Sequence, residues 1–213
     1  MAYSTKTKLS EICDVQSGFT ARTGLNQAIQ GGVPTVQLRD LRGDADFDPA
    51  SAPTYALGLS VERYAARAGD LLFRSRGDRN TAVVVASESK ASAVAVLPLM
   101  VLRPHQNAVD PRYLAWFINQ PATQRYFDKQ ALGTSIQMIR KTDLDELEVE
   151  LPDLPTQKLI VEIDALARRE QVLLRQLADK KLQLTSSALL AQVRAENQSG
   201  HAARPPHPIA RRK

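Results

Sequence analysis

The chain has a single cysteine, Cys13, in 213 residues. No internal disulfide can form, which fits a reducing compartment, and the expected location is the cytoplasm. Long apolar runs are also lacking. None reaches the ~20 residues that a membrane-spanning helix needs. The opening "MAYSTKTKLSEI" carries no apolar stretch of the kind that directs secretion. His105, His201 and His207 are scattered and give no zinc-ligand spacing, so no metal site is expected. There is no Gly-rich phosphate loop, no dinucleotide fingerprint, no Gly-x-Ser-x-Gly elbow and no methyltransferase cofactor loop. These gaps exclude the commoner classes of nucleotide-dependent and hydrolytic enzyme, and no cofactor of the chain's own is expected.

Aromatic residues make up only 5% of the chain, but the aliphatic content is that of a globular protein. Its length allows one domain with a sizeable core plus an accessory element. The net charge is +5, yet Arg204, Arg211, Arg212 and Lys213 in the acid-free stretch 197–213 supply four of those charges, leaving +1 for everything before it. A nucleic-acid interface, if present, must therefore be a local patch and not a product of bulk charge.

Composition divides the chain into three parts. Residues 1–153 alternate apolar runs with turn-forming residues and predict a mixed α/β domain. "VPTVQL", "DLLFRS", "TAVVVAS", "VAVLPLMVLRP" and "LEVELP" read as strands, and "LSEICDV" as a short helix or strand. Asp110 followed by Pro111 predicts a capped helix over "DPRYLAWFIN", with Tyr113, Trp116 and Phe117 packing into the core. A second helix begins at Pro121. Residues 154–196 contain no Gly and, after Pro155, no Pro. Leu159, Ile163, Leu166, Leu173, Leu177, Leu184 and Ala191 recur at heptad spacing, interrupted by Glu170, Lys180 and Ser187. This is the pattern of one long coiled-coil-type helix, whose stripe must pack on another helix. Residues 197–213 are Pro-rich, polar and basic and are expected to be a disordered tail. The fold class is α+β.

Several segments carry candidate binding chemistry. In "DLLFRSRGDRN" strand alternation would put Leu71 and Phe73 on one face and Arg74 and Arg76 on the other, with Arg79 and Asn80 in the turn beyond. Arg can grip guanine or phosphate, and Asn and Gln can read adenine. In "VQLRD" the same alternation pairs Gln37 with Arg39. "LGTSIQMIRKTDL" offers hydroxyls at Thr134 and Ser135, an amide at Gln137 and charge at Arg140 and Lys141, a set suited to phosphate contact. Each segment also has a plain alternative, a solvated face paired to nearby acids or a turn capped by Thr142 or Asp143. Asp70 or Asp78 with Glu88 and Lys90 could form a metal-dependent nuclease site, although such triplets arise by chance in most chains of this length.

The segments "LSEICDVQSGFTAR", "VPTVQLRDL", "ARAGDLLFRSRG", "DPRYLAWFINQPATQRYF" and "GTSIQMIRKTDLDELEVELPDLPTQKLIVEI", followed by a Leu-rich helix, resemble in order and spacing the specificity subunit of type I restriction–modification enzymes. The resemblance covers about Leu9 to Leu182. It implies a target recognition domain that reads double-stranded DNA, no catalytic activity in this chain, and helices that space the domains and dock methyltransferase subunits. S-adenosylmethionine would be bound by that partner methyltransferase, and a translocating restriction subunit is a further possible partner. It also implies that the loop from Gly133 to Lys141 lies near the DNA-facing side. Family members carry two recognition domains and two helical regions, whereas this chain has one of each and no internal repeat. That departure predicts a half-size subunit, natural or truncated, pairing with a second copy through Leu159, Ile163, Leu166, Leu173, Leu177 and Leu184 to read a bipartite site. The rival expectations are the nuclease and a structural, helix-mediated adaptor that does not touch DNA.

Overall fold

The computed structural model describes residues 5–21, 25, 31–41, 45–58, 61–77, 79–86, 88–130 and 138–202, with side chains through residue 194. The chain falls into two units, Met1–Glu162 and Ile163–Lys213. In chain order the elements are β1 (Thr5–Lys8), α1 (Leu9–Ile12), β2 (Cys13–Ser17), β3 (Val33–Val36), β4 (Thr54–Tyr55), β5 (Ala65–Ala66), β6 (Leu71–Arg74), β7 (Ala82–Val84), β8 (Ala93–Ala95), β9 (Leu99–Pro104), α2 (Pro111–Ile118), α3 (Pro121–Gln130), α4 (Lys141–Asp145), β10 (Glu148–Leu151) and α5 (Leu154–Ala202). The class is α+β, as expected.

The first unit is built on an antiparallel sheet in the order β2-β9-β6-β7. Both of its faces are apolar, and the strand period of two divides them cleanly. Leu71, Phe73, Ala82, Val84, Met100 and Leu102 join one cluster with Tyr113, Leu114 and Ile118 of α2 and Phe127 of α3. Leu72, Val83, Leu99 and Val101 join a second cluster with Val36, Ala66 and Ala95. These last three belong to the other sheet, β4-β3-β8-β5, in which β3 and β8 run parallel. The architecture is thus helices, sheet, sheet. A separate ribbon pairs β1 with β10 and joins the two ends of the domain.

Four sequence expectations change here. β3 ends at Val36, and Leu38–Asp40 forms a 3-10 turn, so the alternation assigned to Gln37 and Arg39 does not apply. The reason is local: the Asp40 carboxylate accepts from the Gln37 N–H at 2.8 Å, which closes the turn. In β6 the face shared by Leu72 and Arg74 is not a polar surface, because a second sheet covers it. The expected strand "VAVLPLMVLRP" divides into β8 and β9, which belong to different sheets. "LSEICDV" is helix α1 followed by strand β2.

Gly18 shows how tightly the sheets join. A Cβ there would lie 2.5 Å from the Leu99 carbonyl oxygen and 2.9 Å from the Leu97 nitrogen, both backbone atoms that cannot move aside. The close approach lets Gly18 N–H reach Leu99 O at 3.0 Å and Phe19 N–H reach Ala95 O at 2.7 Å.

The start of α5 is fixed by two residues. Asp153 accepts from the Thr156 N–H at 2.9 Å, a side-chain cap that holds its carboxyl below the usual carboxylate range. Gln157, fully buried, accepts from the Asp110 N–H at 2.8 Å and donates to Pro152 O at 2.8 Å and Ala108 O at 3.1 Å. Asp110 in turn caps α2 through the Arg112 and Tyr113 N–H groups. One amide thereby ties α5, the segment after β10 and the α2 N-terminus together. α5 runs to Ala202, past the expected end near 196. The remaining residues, 203–213, lie outside the described residues, as does most of what was expected to be a tail.

Gln157→Ala removes three hydrogen bonds and leaves buried backbone groups unpaired, so it should cost about 2–4 kcal/mol of stability in urea unfolding. Gln157→Glu, which when ionised offers no donor to Ala108 O and Pro152 O and buries a charge, should also destabilise, and less so in acid, where the protonated carboxyl can donate one of the two bonds.

Candidate nucleic-acid interface

Three polar segments meet at the C-terminal end of β6. The first is the Gln37–Leu41 turn. The Arg74 guanidinium donates to Leu41 O at 2.6 Å, while Arg74 Nε and Gln37 Nε2 are buried without a hydrogen-bond partner among the described residues. Within the turn, Arg39 is 70% exposed and donates to the Tyr55 hydroxyl at 2.9 Å.

The second segment is the turn after β6. Arg76 and Arg79 are exposed and have no carboxylate partner among the described residues. Gly77 between them has φ +132°, a backbone conformation that suits glycine. Asn80, expected to read a base, is instead buried at 2% exposure. Its side-chain amide donates to Arg74 O at 2.9 Å, and its backbone carbonyl accepts from Gln124 Nε2 at 3.0 Å. It builds the turn and does not present an amide to solvent. Asn119 does the same one strand away, bonding both Ala82 N–H and Ala82 O at 2.9 Å.

The third segment is the end of the "LGTSIQMIRKTDL" stretch. Met138 bridges Arg76 in antiparallel fashion, and Ile139 N–H reaches Ser75 O at 2.8 Å. On the other side of β6, Ser75 bonds Pro98 O through its N–H at 3.1 Å and its hydroxyl at 2.6 Å. Leu97, the residue before Pro98, stands in the turn between β8 and β9, where its N–H reaches Phe19 O at 3.0 Å. Leu97 is 42% and Met138 46% exposed, the only large apolar side chains exposed to this degree before α5 among the described residues. The end of β6 therefore carries Arg76 paired with Met138, with Arg79 in the adjoining turn and Leu97 in the turn that precedes β9. Thr134, Ser135 and Gln137 lie outside the described residues.

Arg140 and Lys141 differ from the expected free cations. Arg140 donates to both oxygens of Asp143, from Nη2 at 2.7 Å and Nε at 3.1 Å, and its backbone N–H reaches the same carboxylate at 2.8 Å. Lys141 pairs with Asp145 at 2.6 Å across one helical turn. The Asp143 side chain is only 5% exposed. The Arg140 side-chain hydrogen bond holds its carboxyl below the usual carboxylate range, against burial, which pushes it up. Asp143 thus caps α4, the role its neighbourhood in the sequence offered as the alternative, and both cations are engaged.

The residues of the nuclease alternative are differently placed. Asp70 is buried, accepts from the Arg67 N–H at 2.9 Å and faces Arg103 at 3.4 Å. Burial pushes its carboxyl up, opposed by the hydrogen bond from the Arg67 N–H and by Arg103. Glu88 and Lys90 are exposed, and Asp78 lies outside the described residues. Among the described residues, no three His, Cys, Asp or Glu side chains are grouped as metal ligands. Cys13 is buried, and burial pushes its thiol up to about 12, so it stays protonated. Tyr113 is buried as expected and donates to Glu150 O. Trp116 and Phe117 pack against the same cluster. Among the described residues no helix is long and apolar enough to cross a membrane.

The family model for the type I restriction modification DNA specificity domain matches residues 4–168. The chain belongs to that family. A search of curated proteins returned no match. Among solved structures, a chain from work on complex assembly and conformational transition of the type I R-M system aligns with TM-score 0.57 and 22% identity, covering 90% of this chain and 43% of that one. The HsdS subunit from Thermoanaerobacter tengcongensis aligns with TM-score 0.56 and 21% identity, over 81% of this chain and 39% of that one. The S subunit of a type I restriction-modification system from M. genitalium aligns with TM-score 0.52 and 15% identity, over 78% and 39%. The fold is shared, and this chain spans less than half the length of each.

Arg140→Ala should lower the urea midpoint, because it strips the partner from a buried carboxylate. With a depressed folded pKa, the Asp143 contribution is complete above the unfolded value of about 4 and fades as pH falls through the folded value. The difference between Arg140→Ala and the natural chain should therefore shrink in acid. Arg76→Ala and Arg79→Ala, on exposed side chains, should leave the midpoint unchanged.

Proposed function

We propose that this chain is a half-size DNA specificity subunit that directs a type I methyltransferase, and a restriction subunit where one is present, to a bipartite sequence. The observation that carries it is the family match across residues 4–168, which spans nearly all of the first unit. The geometry at the end of β6 supports it. Arg76 and Arg79, with no carboxylate partner among the described residues, supply positive charge for phosphate or guanine. Met138, exposed opposite Arg76, and the exposed Leu97 suit apolar contact with base edges such as the thymine methyl. Gln37 and Arg39 extend the surface. Arg74 and Asn80 shape it from beneath. Residues 1–153 form the recognition domain, and the helix from 154 spaces and dimerises it. The chain itself transfers no methyl group and cuts no bond; S-adenosylmethionine binds the partner methyltransferase.

The proposed dimer is an antiparallel pair of α5 helices. Its stripe is open to solvent: Leu159 is 55%, Ile163 57%, Leu166 67%, Leu173 54%, Leu177 51% and Leu184 70% exposed. Covering each large aliphatic side chain fully is worth ~1.5–3 kcal/mol, enough in sum to offset the cost of association. Two identical copies about a two-fold axis read identical half-sites in inverted orientation.

In a fluorescence anisotropy titration with duplex DNA, Arg76→Ala and Arg79→Ala should weaken binding and each reduce the slope of log affinity against log salt by about 1. Unchanged affinity and slope in both variants would remove this surface from the interface. Light scattering should give a dimer for the natural chain and a monomer for the Leu173→Asp, Leu177→Asp double variant; a monomeric natural chain would contradict the pairing.

A further inference from the structure

α5 is continuous from Leu154 to Ala202, and its heptad stripe is self-complementary about residue 175. Counting outward from that point, Leu173 meets Leu177, Glu170 meets Lys180, Leu166 meets Leu184, Ile163 meets Ser187 and Leu159 meets Ala191. Every facing pair sums to the same position, so a second helix laid antiparallel places each residue against its counterpart twice. We propose that the two interruptions of the stripe, Glu170 and Lys180, set the orientation and register of the homodimer by pairing across it, one pair on each side of the two-fold axis. This rests on the homodimer proposed above and specifies which of its possible arrangements forms.

The alternatives fail on charge. In a parallel pair in register, Glu170 faces Glu170 of the second copy and Lys180 faces Lys180, like charges in the seam. Sliding the antiparallel pair by one heptad in one direction puts Glu170 against Leu173 and Lys180 against Ile163. Sliding it in the other puts Glu170 against Ser187 and Lys180 against Leu177. Each slide places a charge on an apolar or uncharged neighbour in a partly dry seam, which is unfavourable without a partner. Only the arrangement centred on residue 175 satisfies both ions and keeps Leu173, Leu177, Leu166 and Leu184 in register. Polar residues in an apolar seam specify register in this way in other helical pairs. The flanking positions agree. Leu174, 57% exposed, lies beside the axis next to its own copy, Arg169 comes beside Gln183, and Ala167 beside Lys181, with no like-charge pair. Arg175 itself points outward in this heptad frame.

The test is a charge swap in the full chain, read by sedimentation equilibrium. Glu170→Lys alone and Lys180→Glu alone should each weaken the dimer at least tenfold. The double variant should recover natural affinity, because the pair is restored with its sign reversed. Circular dichroism on all three variants checks that helix content is kept. A second reading comes from spin labels at Lys158→Cys. Centred on residue 175, the two labels lie about 51 Å apart along the helix axis; one-heptad slides give about 41 or about 62 Å. A natural chain that stays monomeric would overturn the homodimer itself. A natural dimer whose double swap fails to recover, or whose labels lie at either other distance, would leave the homodimer standing and overturn the register.

Discussion

The buried amide of Gln157 is the contact on which the arrangement of the first unit most depends. A buried side chain with one acceptor and two donors must find partners for all of them, and here they are the backbone of Asp110, Ala108 and Pro152. Those three backbone positions belong to the approach to α2, the α2 cap and the link from β10. Holding them on one side chain closes the domain around its first hydrophobic cluster and sets where the long helix starts. The ribbon of β1 with β10 reinforces the same closure from the other end of the chain.

From that frame outward, the central sheet does two things. Its buried faces hold the helices on one side and the second sheet on the other. The C-terminal end of its β6 strand gathers three chain segments distant in sequence into one surface, using hydrogen bonds of Ser75 and the Arg74 guanidinium. The side chains left outward on that surface are Arg76, Arg79, Leu97 and Met138, while the cations further along, Arg140 and Lys141, are held by Asp143 and Asp145. The positive charge this surface offers is thus supplied by residues with no carboxylate partner among the described residues. The paired ones stabilise α4.

Much of this was legible in the sequence. Asp110 before Pro111 marked α2, and the heptad spacing from Leu159 marked α5, because both signals depend on local geometry alone. The order of the weak segments pointed to the right family, which no single segment could have done. What the sequence hid is what depends on layering. An apolar strand such as "DLLFRS" reads the same whether one face or both are covered, so Arg74 looked solvent-facing when it lies at the rim of the second cluster. The turn at Leu38–Asp40 depends on an Asp40 hydrogen bond that a strand pattern does not reveal. Asn80 and Arg140 carried the right chemistry for DNA but spend it on Arg74 O and Asp143. Gln157 carries no signal of its own in the sequence, since a glutamine beside a heptad stripe looks like surface.

The central claim is that one recognition domain, doubled by a two-fold axis, chooses where a methyltransferase acts. Mapping methylated adenines across the genome of cells expressing the methyltransferase subunit, with and without this chain, tests it most directly. The expected result is an interrupted palindrome, two identical inverted half-sites around a fixed gap, that appears only when the chain is present. An asymmetric motif, or a methylation pattern unchanged by the chain, would contradict it.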